Sequence, residues 1–161
     1  MAKKTVEKNQ DQGPATIKNR RAGFDYEFIQ TFEAGIVLIG SEVKSIHQGR
    51  ANLSDAYCQV KNGELWLVNS DVEPYEHSTY FQPERRRDRK LLMHRKEIAL
   101  IDRRSSEKGL TIIPTKMYFS NGKVKVQVAL ARGKRSYDKR EAIAKKETRR
   151  EAERIRSRRD G

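Results

Sequence analysis

An Asn-Gly pair, Asn121-Gly122, lies between two runs in which apolar and polar residues alternate, Leu110 to Phe119 and Lys123 to Leu130. Both residues of such a pair readily take the positive φ angles of a type I′ turn, so the pattern predicts a tight β-hairpin. Successive side chains of a strand point to opposite faces. One face of the second strand would point to a core: Val124, Val126 and Val128. The other face would form a basic sheet surface: Lys123, Lys125 and Gln127.

The pair Asn62-Gly63 predicts a second hairpin, which joins Tyr57 to Lys61 with Glu64 to Val72. Cys58, the single cysteine of the chain, falls in the first of these strands. One cysteine excludes an internal disulfide and a cysteine-based zinc site. A small buried hydrophobe is the favoured interpretation of Cys58 over a reactive thiol, because no His or Arg is its near neighbour in sequence.

The remaining elements mix strand and helix. Phe24 to Ile39 is rich in aromatic and β-branched residues and predicts a strand that is interrupted near Glu33-Ala34-Gly35. Glu42 to Gln48 predicts a short helix that ends at Gly49, and the apolar spacing from about His94 to Ser105 predicts an amphipathic helix. Several short strands joined by hairpins are typical of a small closed barrel. We therefore expect a mostly-β fold, an OB-like barrel of about six strands with two or three accessory helices.

Positive charge is concentrated at the two ends of the chain. Lys and Arg number 35 against 22 Asp and Glu, a formal net charge of +13. Residues 1–21 carry a net charge of +4 and residues 132–161 carry +7, whereas residues 22–131 carry only +2. A chain this basic usually binds a polyanion, most often nucleic acid. A membrane surface is the alternative, but the sequence has no apolar run that could span a bilayer, no secretory segment and no lipidation motif, so we expect a cytoplasmic protein.

The C-terminal segment differs from the rest. Residues 136–159 are rich in Lys, Arg, Glu and Ala and hold too few apolar residues to bury a face. Such a segment is expected to be disordered alone and helical against RNA, where it would reach roughly 35 Å. A solubilising tail without a specific role is the alternative. The predicted division is a flexible N-terminus (1–14), an RNA-binding barrel (15–133) and a basic tail (134–161).

Sequence motifs for catalysis are missing. The chain has no phosphate-binding loop, no HExxH and no GxSxG, and its three histidines are far apart. A metal-dependent nuclease would need clustered carboxylates, for which the candidates are Asp25, Glu27, Glu33 and Glu42. Charged residues on a half-exposed strand are more often solvated or paired with Arg. We therefore expect a monomeric binding protein with no enzymatic activity, no cofactor and no metal.

Five sequence blocks resemble one known family. They are Glu33 to Ser45, Gly49 to Asp55, Arg89 to Leu92, Ala129 to Lys134 and Tyr137 to Glu141. Together they closely resemble the small protein B (SmpB) family, the bacterial tmRNA-binding proteins, and they occur in the family order across about residues 15–141. The resemblance implies a six-stranded OB-type barrel and a C-terminal tail that is disordered when free. It also implies binding to the tRNA-like part of tmRNA and its delivery to stalled ribosomes, with no cofactor.

The resemblance implies two groups of site residues. The first faces tmRNA: Asn19, Tyr26, Glu33, Leu92, His94 and Lys125. The second meets the decoding centre of the small ribosomal subunit, with the tail beyond it in the empty mRNA channel: Gly133, Tyr137, Asp138, Lys139 and Arg140. Lys125 suits phosphate contact, Tyr26 suits stacking or a hydrogen bond, and Asn19 suits base edges or sugar. Glu33 could accept from base amino groups or form a structural ion pair, and the sequence leaves both open.

One position departs from the family pattern. Phe24 stands where many members carry His, which preserves stacking and removes an imidazole hydrogen bond. A general RNA-binding module explains the charge and the fold equally well, but it does not explain the ordered blocks.

Overall fold

The computed structural model describes residues 13–78, 81–134 and 136–159. Within these ranges the strands are β1 (Ile17–Lys18), β2 (Tyr26–Ile36), β3 (Ala51–Asn52), β4 (Tyr57–Lys61), β5 (Glu64–Val68), β6 (Asp71–Val72), β7 (Arg89–Leu92), β8 (Thr111–Ser120) and β9 (Lys123–Gly133). The helices are α1 (Arg20–Asp25), α2 (Gly40–His47), α3 (Arg95–Lys108) and α4 (Ser136–Arg159). Seven strands form one antiparallel sheet in the order β1-β8-β9-β2-β7-β5-β4, and β3 pairs with β6.

The mostly-β prediction is confirmed, but a closed barrel is not present in the described residues. The large sheet has two ends, at β1 and β4. β1 offers only Ile17 and Lys18 for pairing, both with β8. The other end, β4, comes close to β8 without forming a ladder with it. The sheet therefore curls without closing, because neither edge continues its hydrogen-bond ladder around to the other.

Both predicted hairpin turns are confirmed. Asn62 and Gly63 have φ angles of 52° and 76°, and Asn121 and Gly122 have 51° and 74°, as a type I′ turn requires. The prediction for β9 also holds, since its valines are buried in the main core. Cys58 is buried there as well, and burial raises the pKa of its thiol, which keeps it neutral and unreactive.

Two predicted boundaries are wrong, and one strand was not predicted. The interruption predicted near Glu33-Ala34-Gly35 is also wrong, because β2 continues through these residues to Ile36, where it pairs with β7. Phe24 lies in α1 rather than in the first strand, because Asn19 caps a short helix with its side-chain oxygen on the Ala22 N–H. The run Glu64 to Val72 is two strands, since Asn69 interrupts it with a φ of 64°. β7 was missed because its first residue, Arg89, is charged and fully buried. A charge at a core position breaks the alternation on which strand prediction depends.

β2 connects the two halves of the sheet. It pairs with β9 from Tyr26 to Gly35 and then with β7 at Gly35 and Ile36. Bulges at Phe28/Gln30 in β2 and at Pro114/Lys116 in β8 interrupt the regular register. On the outside of these strands a second, smaller apolar cluster forms beneath α1: Ala22, Ile113, Ala129 and Ala131, with Tyr26 against them. The outer face is thus covered at one end of β2 and open at the other.

Candidate RNA-binding surface

Five polar side chains share the open outer face of β2, β8 and β9, and we call them the polar patch: Glu33, Lys116, Tyr118, Lys125 and Gln127. The strand register places Lys125 between Tyr118 and Gly35. In the next row it places Gln127 between Lys116 and Glu33. The patch therefore joins three strands that are far apart in sequence, and it includes two of the predicted tmRNA-facing residues.

Hydrogen bonds within the polar patch leave its lysines without acidic partners. The Tyr118 hydroxyl donates to Oε2 of Glu33, and the Nζ of Lys116 lies 5.2 Å from the centre of the Tyr118 ring. Lys116 and Lys125 form no ion pair with any described residue. Burial and the hydrogen bond to Glu33 raise the pKa of Tyr118 to about 12, so the phenol stays neutral at pH 7. Two ammonium groups therefore remain available for phosphate.

An apolar strip borders the patch along β7. Leu92 lies opposite Gly35 in the ladder and is 52% exposed. A Cβ at Gly35 would approach the Leu92 Cβ to 3.4 Å, so the glycine gives Leu92 its place beside β2. Between Leu92 and the β8–β9 turn runs a groove with an apolar floor and a lysine rim: Ile36, Leu38, Val43, Leu92, Val124, Lys123 and Lys125. Bases or ribose could contact that floor while phosphates meet the rim.

His94 is placed close in sequence to Leu92 but on a different element. It is the N-cap residue of α3, and its backbone oxygen accepts from the Ile98 N–H at 3.1 Å. Its side chain makes no capping hydrogen bond and is exposed. The imidazole is therefore free to meet a ligand.

Asn19 and Tyr26 lie at the opposite end of β2 from Glu33, about 20 Å away along the strand. Asn19 is buried, and its amide nitrogen donates to the carbonyl oxygens of Leu53 at 3.0 Å and Pro114 at 2.9 Å. Because its amide oxygen caps α1, the side chain uses its hydrogen bonds inside the protein. Tyr26 is half-buried against the small cluster beneath α1.

The tail begins beside these two residues. Gly133 pairs with Tyr26 at the end of the β2–β9 ladder. Lys134 then makes two hydrogen bonds to α1. Its backbone N–H donates to the backbone carbonyl oxygen of Asp25 at 2.8 Å, and its Nζ donates to that of Gly23 at 3.1 Å. Those carbonyls belong to the last turn of α1, where a cation is favoured. The direction in which the tail leaves the body is therefore coupled to α1.

α4 itself extends from this root as a 24-residue helix. Arg140 is exposed on it, as are most of the later basic residues. The side chains of Tyr137, Asp138 and Lys139 lie outside the described residues. The described part of the helix has no apolar face that could pack on the body.

A buried ion network that the sequence did not predict supports the α2 end of the surface. The Glu42 carboxylate accepts from Arg89 Nε at 2.8 Å and from Arg87 Nε at 3.2 Å. Arg89, fully buried, also donates to the Ser70 Oγ at 2.9 Å. Burial raises the pKa of Glu42, but hydrogen bonds from Arg87, the Ile39 N–H and Arg89 outweigh it and leave the pKa below its ordinary value. This network fixes α2 against β7, which carries Leu92.

Two other structural findings bear on the alternatives. In the part of the chain that the structure describes, no three His, Cys, Asp or Glu residues come together as a metal site would require. None of the described helices is both long enough and apolar enough to cross a bilayer.

Sequence reasoning missed Lys116, Tyr118 and Lys134. The first two could have been found, because the type I′ turn at Asn121-Gly122 fixes the register and sets Tyr118 opposite Lys125. Lys134 could not, since its partners are the backbone oxygens of Gly23 and Asp25 in a helix that the sequence did not predict.

Comparisons with known proteins agree with one another. Residues 16–158 match the family model described as SmpB protein. The SsrA-binding protein of Thermobifida fusca (strain YX) is 53% identical over 155 residues, which cover 94% of this chain and 97% of the relative. The SsrA-binding protein of Syntrophobacter fumaroxidans is 51% identical over 142 residues, 88% of each chain. That of Limosilactobacillus reuteri (strain DSM 20016) is 47% identical over 155 residues, 96% of this chain and 98% of the relative.

A solved structure gives the same result. It is described as "tmRNA-SmpB: a journey to the center of the bacterial ribosome", and its chain is 42% identical to this one with a TM-score of 0.65. The match covers 80% of this chain and 94% of that chain.

Proposed function

The chain belongs to the SmpB family, and from that premise we propose that it binds the tRNA-like domain of tmRNA and delivers it to stalled ribosomes for trans-translation. One observation of the fold carries the proposal. Glu33, Leu92 and Lys125, which the family resemblance assigns to the tmRNA-facing surface, come from three different strands and meet around Gly35. A shared surface is what a common ligand requires.

We propose that the body holds tmRNA through the polar patch and the neighbouring groove. Lys125 and Lys123 would bind phosphates, since neither has an acidic partner among the described residues. Leu92 would pack against a base or sugar, and the free imidazole of His94 would lie at the edge of the same contact. Tyr26 would contact RNA at the far end of β2, where Asn19 would act by holding α1 in place.

The tail is proposed to contact the ribosome. Its root at Gly133 and its first turn would meet the decoding centre through Tyr137, Asp138, Lys139 and Arg140. The rest of α4 would lie in the empty mRNA channel, where exposed cations face rRNA phosphates. We propose that this segment is disordered alone and helical on the ribosome, and that residues 1–14 are flexible. The protein would act in the cytoplasm as a monomer, without enzymatic activity or a cofactor.

A competition experiment tests the tmRNA proposal. Labelled tRNA-like domain is titrated with the full chain in filter binding at physiological salt, with equimolar unlabelled elongator tRNA present. We expect binding to survive the competitor. Displacement by elongator tRNA would instead indicate a general RNA-binding module.

A further inference from the structure

Glu33 is the only acidic residue among the predicted tmRNA-facing residues, and its surroundings are unusual. Its side chain is exposed on the polar patch, and it forms no ion pair with any described Lys or Arg. Its hydrogen-bond partner is the Tyr118 hydroxyl, which donates to Oε2. The structural ion pair that the sequence left open is therefore absent among the described residues.

Tyr118 is well placed to hold that carboxylate still. It projects from β8 directly opposite Lys125 of β9, and its ring is flanked by the Nζ of Lys116 at 5.2 Å. The sheet fixes the ring, and the neutral phenol can donate its proton to only one acceptor at a time. A lysine at this position would also bind Glu33, but it would neutralise the charge and compete for it. The phenol orients the carboxylate without neutralising its charge.

The charge of Glu33 decides which part of an RNA could lie against it. A carboxylate only accepts hydrogen bonds and repels phosphate, whereas Lys116 on β8 and Lys125 on β9 attract phosphate. The backbone of a bound strand would therefore follow the lysines, and a base edge that donates would face Glu33. The Watson–Crick edge of guanine offers two adjacent donors, N1–H and the N2 amino group, which suit the two oxygens of one carboxylate.

We propose that Tyr118 is a positioning residue that holds the Glu33 carboxylate to accept hydrogen bonds from the Watson–Crick edge of a guanine in the bound RNA. The inference rests on the proposed function, because the RNA is taken to be the tRNA-like domain of tmRNA. It extends that function by giving Glu33 a base-specific role and by adding a residue that acts through it.

Tyr118→Phe removes the hydroxyl and keeps the ring beneath Lys116. We expect about a tenfold loss of affinity for the tRNA-like domain, as for one good base contact, and a similar loss for Glu33→Gln. The double variant should lose little more than either single one, because both changes remove the same contact. Tyr75→Phe is the matched control, since Tyr75 also has a lysine over its ring, Lys44 at 5.5 Å, away from the polar patch. It should bind as the unchanged chain does.

Single guanosine-to-inosine replacements across the tRNA-like domain separate positioning from a structural role, because inosine lacks the 2-amino group. The unchanged chain should lose about tenfold at one position. The Glu33→Gln and Tyr118→Phe variants should bind the RNA with inosine at that position as well as they bind the unmodified RNA. The inference would be overturned if inosine lowered the affinity of the unchanged chain and of Tyr118→Phe equally, or if it lowered the affinity of the unchanged chain at no position. Either result would leave tmRNA binding intact. Failure of the unchanged chain to prefer the tRNA-like domain over elongator tRNA would instead overturn the proposed function beneath it.

Discussion

The body and the tail are both basic, but their charges are positioned in different ways. Residues 22–131 hold nearly equal numbers of basic and acidic residues, a net charge of +2, and several of the acidic groups are paired with arginines, as Glu42 is with Arg87 and Arg89. Lys116, Lys123 and Lys125, which have no acidic partner among the described residues, stand at defined points of the sheet. In α4 the helical repeat sets the positions of the cations, since the described part of the helix has no apolar face that could pack on the body. The body can therefore recognise a particular RNA shape, whereas the tail suits a long, uniform phosphate surface.

Deletion of the tail should have the largest effect, and it separates the roles of the two regions. Removing residues 135–161 retains Lys134, whose contacts complete α1, and leaves the polar patch unchanged. We expect affinity for the tRNA-like domain to stay within about twofold, because the phosphates that the tail binds would belong to the ribosome. Tagging of the incomplete peptide in a reconstituted translation system should be abolished. A large loss of tmRNA affinity would contradict the division of roles.

Ala144→Pro is the matched control for that deletion. It keeps every charge of the tail but breaks α4 in its interior, where a proline removes a hydrogen bond and clashes with the preceding turn. Tagging should fall as in the deletion if the tail works as a helix. Normal tagging would mean that charge alone is sufficient.

Arg89→Ala should cause the largest loss of stability in the body. It leaves the buried Glu42 carboxylate with one arginine fewer and removes the donor to Ser70. Breaking a buried pair in this way typically costs about 3–5 kcal/mol in the free energy of unfolding. Urea unfolding measures the loss. Arg85→Ala, which breaks an exposed pair with Asp71, should change stability little, and equal losses would show that burial of the Glu42 network does not matter.

Acid should weaken the same network. The folded-state pKa of Glu42 lies below its ordinary value, so the unfolded chain binds more protons as the pH falls. Its contribution to stability is complete above the ordinary pKa of 4.5 and is lost as the pH falls through the folded-state value. Unfolding free energies at pH 7, 5 and 3 should fall less steeply for Glu42→Gln than for the unchanged chain. Glu76→Gln should reduce the steepness much less, because the pair of Glu76 with Arg50 is fully exposed and solvent screens it.

The sequence predicts the parts of this fold that depend on neighbouring residues. Asn121-Gly122 fixes a turn, the turn fixes the register of β8 and β9, and the register identifies the basic face. It does not predict interactions that depend on distant residues. Glu42 and Arg89 are 47 positions apart, and nothing in the sequence around either residue indicates that the two will form a buried ion pair. The barrel prediction failed for a similar reason, because closure depends on whether two edges, β1 and β4, meet after the chain has folded.

The smallest expected effect comes from removing one lysine of the body. It tests whether the position of a cation, and not only its charge, affects RNA binding. Lys125→Ala should remove one phosphate contact, which flattens the dependence of log affinity on log salt by about one unit and lowers affinity modestly at physiological salt. Lys61→Ala removes the same charge at the opposite edge of the sheet, next to Asp88. It should leave both the slope and the affinity for the tRNA-like domain unchanged. If the two variants behave alike, net charge rather than the polar patch governs binding, and the body would differ from the tail only in being folded.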